Sequence, residues 1–250
     1  MEDNMQIMSK AHLKQLAKLK HKKFRQQTGK VIIEGFRSIK QINSYGLEFD
    51  ELYIRKNTAL DLSDIYSKET FICSEYEMSR ICSTQSPQEI AALLPTEHLP
   101  ISDRSFLLYL DNISDPGNCG TIIRTATAAG ISGIVLSEDS CDVFNPKVIR
   151  ASLGSVFVMP IEYHDQKWLS AQNANIIITT AHDAEDVFHF ELPEGNNILV
   201  IGSEAHGIKN EIEKNAHHRV HIPQSVKIES LNAAVAAGIC MFCLNRKKSL

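Results

Sequence analysis

Two polar residues within DNISDPGNCGTIIRTATAAG, residues 111–130, have side chains whose chemistry suits substrate binding. Arg124 carries a planar guanidinium that binds a phosphate or a carboxylate through two parallel hydrogen bonds, and its helical neighbours are small or apolar. Asn118 fits the N-cap of the same helix, because the DPGN sequence that it ends has turn composition, with glycine at the position of positive φ. Gly130 would end the helix. Capping explains Asn118 but leaves Arg124 unexplained, so the stretch predicts an anion-binding site.

A glutamate and two glycines follow a later strand-like run, in LVIGSEAHGIKNEI, residues 199–212. Gly202 and Gly207 allow the backbone to approach a ligand closely, and Glu204 adds a negative charge where the strand ends. Ligands of open α/β sheets bind at this carboxyl edge of the strands. The alternative is an ordinary strand-to-helix turn.

A third segment, HIPQSVKIESLNAAVAAGICMF, residues 221–242, leads from a strand into a helix with small residues on one face. Ser230 and Asn232 both suit the N-terminus of that helix. Small residues follow at four-residue spacing, Ala233 with Ala237 and Ala234 with Gly238, and such a face would let another backbone come close. Tight packing inside the core is the alternative explanation.

The segments around these residues alternate between short β-rich runs and helical patterns. From residue 105 onward the β-rich runs are mostly continuous and apolar, as expected for strands buried on both faces: FLLYLDNI, GIVLS, VFVMPI, NIIITTAH, NNILVIGS and RVHIP. In the first half, strands are predicted at KVIIEG, FDELYI and EIAALL, and a helix at FRSIKQINSYG. A polar, proline-bearing stretch at 83–104 separates the halves. Two domains are therefore predicted, 1–95 and 96–250, the second a parallel α/β domain.

The formal net charge of -4 is unevenly distributed, because residues 9–30 contain eight lysines or arginines and no acid. One basic amphipathic helix is predicted over 9–27. Its candidate contacts with a polyanion such as RNA are Lys14, Lys18, Lys22 and Arg25. A solvated helix face is the alternative.

Six cysteines show no disulfide spacing, and no secretory signal is present, so a reducing, cytoplasmic setting is expected. Cys240 and Cys243 form one C-x-x-C, which two core thiols explain better than a redox or zinc site, and no metal is expected. The apolar run around them, roughly 12–14 residues, is too short to span a bilayer, so no membrane association is expected.

Taken in order, the three segments resemble the motifs of the SpoU (TrmH-like) family of RNA ribose 2′-O-methyltransferases, within the SPOUT superfamily. The resemblance extends over about 106–245, and the first half is similar to the family's substrate-binding extension, a small L30e-like α/β domain. It implies a deep C-terminal trefoil knot, where pattern alone predicts an unknotted doubly wound sheet. It also implies a homodimer, since the family's knotted domains pair and each site borrows from the partner.

The same resemblance implies S-adenosylmethionine as the cofactor, bent and held by the knot loops, and RNA as the substrate. The residues that match the family's catalytic set are Asn118, Arg124, Glu204, Ser230 and Asn232, and those that match its cofactor pocket are Thr180, Ala181, Gly202, Gly207, Ile222 and Leu231. Ala205 and Val226 stand where glycine is common in relatives, which bears on the details of the pocket.

Arg124 has two alternative roles in this chemistry. Methyl transfer from a sulfonium to a ribose hydroxyl is an in-line displacement, so positioning supplies much of the rate, and the hydroxyl must also lose its proton. The family mechanism gives proton removal to the arginine. A guanidinium resists deprotonation, which favours Arg124 as a clamp on the target phosphate that stabilises the developing alkoxide. Asn118, Ser230 and Asn232 would orient these groups, and Glu204 would order the motif loops or Arg124.

Three other functions compete with methylation of ribosomal RNA, the expected substrate. Transfer RNA could be the substrate instead, or the scaffold could serve a catalytically silent RNA-binding or ribosome-assembly protein. A Rossmann-type dehydrogenase is disfavoured, because G-x-G-x-x-G does not follow FLLYLD and a fitting ribose-binding acid is absent.

Overall fold

A computed structural model describes residues 5–180, 184–204, 207–225, 227 and 230–246. The backbone divides into two compact units. The first contains the residues up to Glu97 together with Phe144–Val158, and the second contains His98–Val143 and the residues from Met159 onward. The domain boundary placed between residues 95 and 96 stays a prediction. Phe144–Val158 belongs to the first unit, although its sequence falls within the domain predicted over 96–250. In the described part of the chain, no helix has the length and apolar character needed to cross a membrane.

The first unit is a small α/β unit, in which helices accompany a mixed sheet of parallel and antiparallel strands. Its strands are β1 (Met5–Ile7), β2 (Lys30–Glu34), β3 (Phe49–Arg55), β4 (Ser67–Cys73) and β5 (Ile90–Pro95), and its first four helices are α1 (Lys10–Lys18), α2 (Lys22–Thr28), α3 (Phe36–Ser44) and α4 (Glu75–Ile81). The strand order is β1-β4-β3-β5-β2, with β5 antiparallel to both neighbours and the other pairs parallel. The strands and the helix predicted in the first half are thus confirmed.

The basic segment forms two helices instead of the single helix predicted over 9–27. Ser9 caps α1 by accepting a hydrogen bond from the backbone of His12. The chain then turns after Leu19, which is buried. Arg25 lies in α2, and its guanidinium donates to the backbone carbonyls of Leu19 and Lys20, both at 3.0 Å. Arg25 therefore satisfies carbonyl groups that the end of α1 leaves unpaired.

Buried polar contacts hold Phe144–Val158 in the first unit. The carboxylate of Glu34 accepts hydrogen bonds from Arg150 (2.6 Å), Ser83 (2.6 Å) and Thr84 (2.7 Å). This segment forms α6 (Pro146–Ala151) and a short 3-10 helix (Ser155–Phe157). The strand predicted at VFVMPI is wrong except at its last residue, because a strand begins only at Ile161.

The second unit is a parallel sheet with helices, as predicted. Its strands are β6 (Phe106–Leu110), β7 (Gly133–Leu136), β8 (Ile161–Tyr163), β9 (Asn175–Thr179), β10 (Glu185–Asp186), β11 (Asn197–Ile201) and β12 (His218–His221), and its helices are α5 (Pro116–Ala128), α7 (Gln166–Ser170), α8 (Asn210–Lys214) and α9 (Ala233–Leu244). The order is β10-β12-β9-β11-β6-β7-β8, and each neighbouring pair described is parallel. β6, β7 and β11 are buried along their whole length, which explains their continuous apolar sequences.

Helices α5 and α9 pack against each other through small residues. A methyl group built on Gly238 would lie 3.4 Å from Cγ2 of Thr125, so the predicted face of small residues allows this close approach. Cys240 is buried, in agreement with a core thiol. Val235 and Phe242, also on α9, are 51% and 50% exposed.

Candidate functional site

The N-terminus of α5 is capped by Asp115 and not by Asn118, so that prediction is wrong. The carboxylate of Asp115 accepts a hydrogen bond of 2.8 Å from the backbone of Asn118, and Pro116 is the first helical residue. Gly117 lies in the helix and does not have the positive φ predicted for a turn. Gly130 does follow the helix end with φ of 67°, as predicted. Asn118 therefore lies in the first turn of α5, and its side chain does not serve as the cap.

Three predicted catalytic residues meet at one carboxylate. Oε1 of Glu204 accepts hydrogen bonds from Nδ2 of Asn118 (3.0 Å) and from Nδ2 of Asn232 (2.5 Å). The backbone amide of Ala233 donates to the same oxygen at 2.9 Å. Hydrogen bonds to an ionised acceptor are among the stronger ones in proteins, and the positive end of α9 adds to them. Glu204 thus joins the starts of α5 and α9 to the loop after β11.

Asn232 makes contacts with both helices. Its Oδ1 accepts hydrogen bonds from the backbone of Ala234 (3.0 Å) and Val235 (3.3 Å), so it is the N-cap of α9, as predicted. Its Nδ2 also donates to Oδ1 of Asn118 at 2.9 Å. The two amides and the carboxylate form a closed network in which each side chain fixes the others.

The loop that carries Glu204 is a tight hairpin. Ser203 and Gly207 exchange two backbone hydrogen bonds, of 3.1 and 2.9 Å. A methyl group built on Gly202 would lie 2.4 Å from the backbone carbon and oxygen of Gly207, so no side chain fits there. Gly207 has φ of 64°, which glycine adopts without strain. Both glycines are thus required by the hairpin.

A cavity of about 270 Å³ lies beside this hairpin, at the carboxyl ends of β9, β11 and β12. Its walls include five of the predicted cofactor residues, Thr180, Gly202, Gly207, Ile222 and Leu231, and two of the predicted catalytic ones, Glu204 and Ser230. Ala181, Ala205 and Val226 lie outside the described residues. The cavity occupies the edge at which parallel α/β sheets bind ligands.

A second cavity of about 230 Å³ adjoins the first. It is lined by the segment 112–115, by Asn118 and by three residues that also line the larger cavity, Ser203, Glu204 and Ala233. The carboxylate of Glu204 and its donors therefore stand between two spaces. Such an arrangement suits a reaction between two ligands bound in neighbouring cavities.

Arg124 is not brought into this network. It lies six residues after Asn118, so the two side chains start about 9 Å apart along the axis of α5 and about 120° apart around it. Arg124 is exposed, and among the described residues it has no hydrogen bond or ion pair. Ser230 is also exposed at the cavity wall.

The predicted RNA contacts divide into two groups. Lys14, Lys18 and Lys22 are exposed on α1 and α2. Arg25 is only 4% exposed and its guanidinium binds backbone carbonyls, so it departs from the expectation of a surface contact. In the part of the chain that the structure describes, no group of His, Cys, Asp or Glu is placed to hold a metal ion.

Two aspartates, Asp111 and Asp115, were not among the residues predicted for the site. Asp115 has a recognisable signal, because the proline after it is typical of the first helical position, which makes Asp115 the cap. Asp111 directly follows β6 and is 1% exposed, and its carboxylate accepts a hydrogen bond from the backbone of Lys209. A single acidic residue after a buried strand gave no indication of that contact.

Two family models match the chain. The model described as SpoU rRNA Methylase family matches residues 105–242, and the model described as MRM3-like substrate binding domain matches residues 10–92. The first match contains the whole network around Glu204 and both cavities.

Individual relatives resemble the chain over most of its length. The chain is 31% identical to the 23S rRNA (guanosine(2553)-2'-O)-methyltransferase RlmP of Bacillus subtilis, over 93% of this chain and 95% of that protein. It is 28% identical to the mitochondrial rRNA methyltransferase 3 of Xenopus tropicalis, over 89% of this chain and 71% of that protein. The crystal structure of an AdoMet-bound rRNA methyltransferase from Sinorhizobium meliloti superimposes with a TM-score of 0.80 at 27% identity, over 97% of this chain and 98% of that one.

Proposed function

The chain belongs to the SpoU rRNA methylase family, and we propose that its two adjoining cavities hold the methyl donor and the methyl acceptor of a ribose 2′-O-methylation. The enzyme uses S-adenosylmethionine and acts on RNA, with ribosomal RNA as the substrate class. The observation that carries this proposal is the shared wall of the two cavities at Glu204.

The larger cavity has the composition that S-adenosylmethionine requires. Ile201, Ile222 and Leu231 supply apolar surface, and the glycine backbone of the hairpin leaves room for close contact. The loops after β9, β11 and β12 meet there. In the family such loops form a trefoil knot that holds the cofactor in a bent conformation, and the same knot is part of this proposal.

S-adenosylmethionine, when bound, supplies an electrophilic methyl group on a sulfonium. The residues of this chain position the acceptor. The amides of Asn118 and Asn232 are both held by Glu204, and Asn118 lines the smaller cavity in the orientation that this contact sets. Ser230 adds a hydroxyl at the donor cavity. A phosphate held by Arg124 would keep the ribose in line, and its guanidinium would stabilise the developing alkoxide.

Arg124 acts in the site of a second copy of the chain, which makes the enzyme a homodimer. This assignment is supported by the absence of a partner for Arg124 among the described residues and by the exposed apolar residues Val235 and Phe242 on α9, the helix that packs against α5. Exposed apolar surface of this kind is typical of an interface.

Mixed dimers test this arrangement directly. Asn118→Asp and Arg124→Lys chains are co-expressed with two different tags, and dimers that carry both tags are isolated. Because one of the two sites then has an intact Asn118 and the partner's intact Arg124, we expect about half of the wild-type activity per dimer. Inactive mixed dimers would place Arg124 in the site of its own chain. Phe242→Asp should yield monomers by light scattering, and a dimer of unchanged stability would exclude this face as the interface.

The exposed basic face of the first unit contributes RNA affinity. Replacing Lys14, Lys18 and Lys22 with glutamine should weaken RNA binding and flatten its dependence on salt, because fewer counterions are released. In a salt titration series, the negative slope of log K against log salt should become smaller in magnitude by up to about three. S-adenosylmethionine binding should be unchanged.

The matched control replaces three exposed lysines elsewhere in the chain, Lys56, Lys167 and Lys214. An equal loss of RNA affinity in the control would show that total charge matters and that the basic face has no special role. Unchanged affinity in the first variant at every salt concentration would make α1 and α2 a solvated surface.

Gly202 tests the donor cavity. Gly202→Ala would force the backbone of Gly207 away, because the new methyl group meets it at 2.4 Å. We expect S-adenosylmethionine binding to weaken at least about tenfold in isothermal titration, equivalent to about 1.4 kcal/mol. In Gly207→Ala the new methyl group would meet no atom within 4 Å. This change should cost only the backbone strain of a positive φ, about 1–2 kcal/mol of stability. Equal affinity of wild type and Gly202→Ala for S-adenosylmethionine would show that the methyl donor binds outside this cavity.

The proposed reaction is tested with purified protein and with cells that lack it. Isothermal titration should show S-adenosylmethionine binding, and mapping of 2′-O-methyl groups should show one ribosomal RNA position lost in the deletion strain. Loss at a transfer RNA position would change the substrate class. Binding of RNA without binding of S-adenosylmethionine would identify a silent RNA-binding protein. A cytoplasmic setting belongs to the same proposal and is supported by the free cysteines, among them Cys73 and Cys119.

A further inference from the structure

Asp111 contacts both ends of the loop that carries Glu204. Its backbone amide donates to the carbonyl of Ile201, the last residue of β11, at 2.9 Å. Its Oδ2 accepts a hydrogen bond of 2.8 Å from the backbone amide of Lys209, the N-cap of α8. The loop between these two contacts contains the hairpin and lines the larger cavity.

The carboxylate of Asp111 is buried at an energetic cost. The side chain is 1% exposed, and its Oδ1 has no hydrogen-bond partner among the described residues. Burial raises the pKa of Asp111, while the amide and ammonium groups of Lys209 act in the opposite direction. The ammonium lies 3.8 Å from Oδ1 and 3.0 Å from the exposed carboxylate of Asp139. A buried carboxylate that is incompletely paired needs a compensating gain elsewhere.

That gain is the fixed geometry of the loop. Gly202 and Gly207 leave the base of the hairpin without side chains, so side-chain anchoring of the loop begins only at the buried Ile208, next to Lys209. The two contacts of Asp111 set the distance between Ile201 and Lys209 and hence the position of Glu204.

We infer that Asp111 is a positioning residue for the methyl donor, because its carboxylate fixes the end of the 202–208 loop through the amide of Lys209. This inference rests on the proposed function of the larger cavity. Asp111 does not contact the donor in this role. Its loss should reduce the affinity for S-adenosylmethionine without changing the chemistry of the bound complex.

Lys209 offers two substitutions whose comparison isolates the contribution of its backbone amide. Its φ of -60° suits proline, which has no N–H. Lys209→Ala removes the ammonium and keeps the amide, whereas Lys209→Pro removes both. We expect Lys209→Pro to bind S-adenosylmethionine about tenfold more weakly than Lys209→Ala, with a raised KM and kcat within about twofold at saturation. Asp139→Asn, which removes the exposed partner of the same ammonium, should bind like wild type.

Hydrogen exchange gives a second measurement that needs no ligand. In Lys209→Pro, and in Asp111→Asn if the proline variant does not fold, the amides of Ser203 and Gly207 should exchange faster than in Lys209→Ala. Equal exchange and equal affinity in Lys209→Pro and Lys209→Ala would overturn the inference. Faster exchange in a protein whose wild type binds no S-adenosylmethionine would uphold the role of Asp111 in the loop and refute the proposed function instead.

Discussion

Asn118→Asp is expected to slow methyl transfer at least about a hundredfold in a protein that still folds. The amide of Asn118 donates to Oε1 of Glu204 at 3.0 Å, and aspartate would place a second carboxylate there. The two like charges would repel each other, and Glu204 would lose one of its hydrogen-bond donors. The fold should survive because Asp115 caps α5 and a negative charge is favourable in the first turn of a helix.

The measurement compares single-turnover rates, unfolding temperature and S-adenosylmethionine affinity. Asn145→Asp is the matched control, since Asn145 does cap a helix, α6, and aspartate caps equally well. We expect the control to behave like wild type in all three measurements. If Asn118→Asp retained near-normal turnover, the network at Glu204 would have a structural role only. Loss of folding in Asn118→Asp would likewise assign the network a structural role.

Arg124→Lys should also lose at least about a hundredfold in rate, the lower range for a positioned catalytic group. Lysine keeps the positive charge but lacks the planar fork that binds a phosphate through two hydrogen bonds. Because Arg124 is exposed and its side chain makes no hydrogen bond or ion pair among the described residues, its replacement should leave the unfolding temperature and donor affinity unchanged.

Arg219→Lys provides the control for this change, as Arg219 is also exposed and contacts only the carbonyl of Glu213 among the described residues. A rate for Arg124→Lys close to that of the control would remove arginine-specific chemistry from the mechanism. A rate that recovered at high pH would instead favour proton removal by this side chain, because lysine loses its proton far more readily than arginine.

The meeting of the three motifs could be predicted from the sequence. Buried parallel strands end at one edge of a sheet, so the residues that follow β6, β11 and β12 must lie near one another. The contacts of Asn118 and Asn232 with Glu204 follow from that rule. The apolar runs that predicted the strands are the same feature that buries them.

Other features depended on more than residue type. Aspartate and asparagine cap helices equally well, so residue type alone did not decide between Asp115 and Asn118, and the signal was Pro116 at the first helical position. An arginine in a basic block has the same sequence pattern whether it is exposed or, like Arg25, folded back onto carbonyls. The placement of Phe144–Val158 depends on Arg150 and Glu34, which are 116 residues apart. The partner is distant in sequence only in the last case, since the carbonyls that Arg25 binds lie five and six residues before it.

The division of labour at the start of α5 has an evolutionary consequence. Asp115 supplies the cap and Asn118 supplies the amide that faces Glu204, so stability and reactivity are inherited through separate residues. One nucleotide change converts an asparagine codon into an aspartate codon. A lineage could therefore lose methylation in one mutational step and keep a folded RNA-binding protein. Silent relatives on this scaffold can arise without passing through an unstable ancestor.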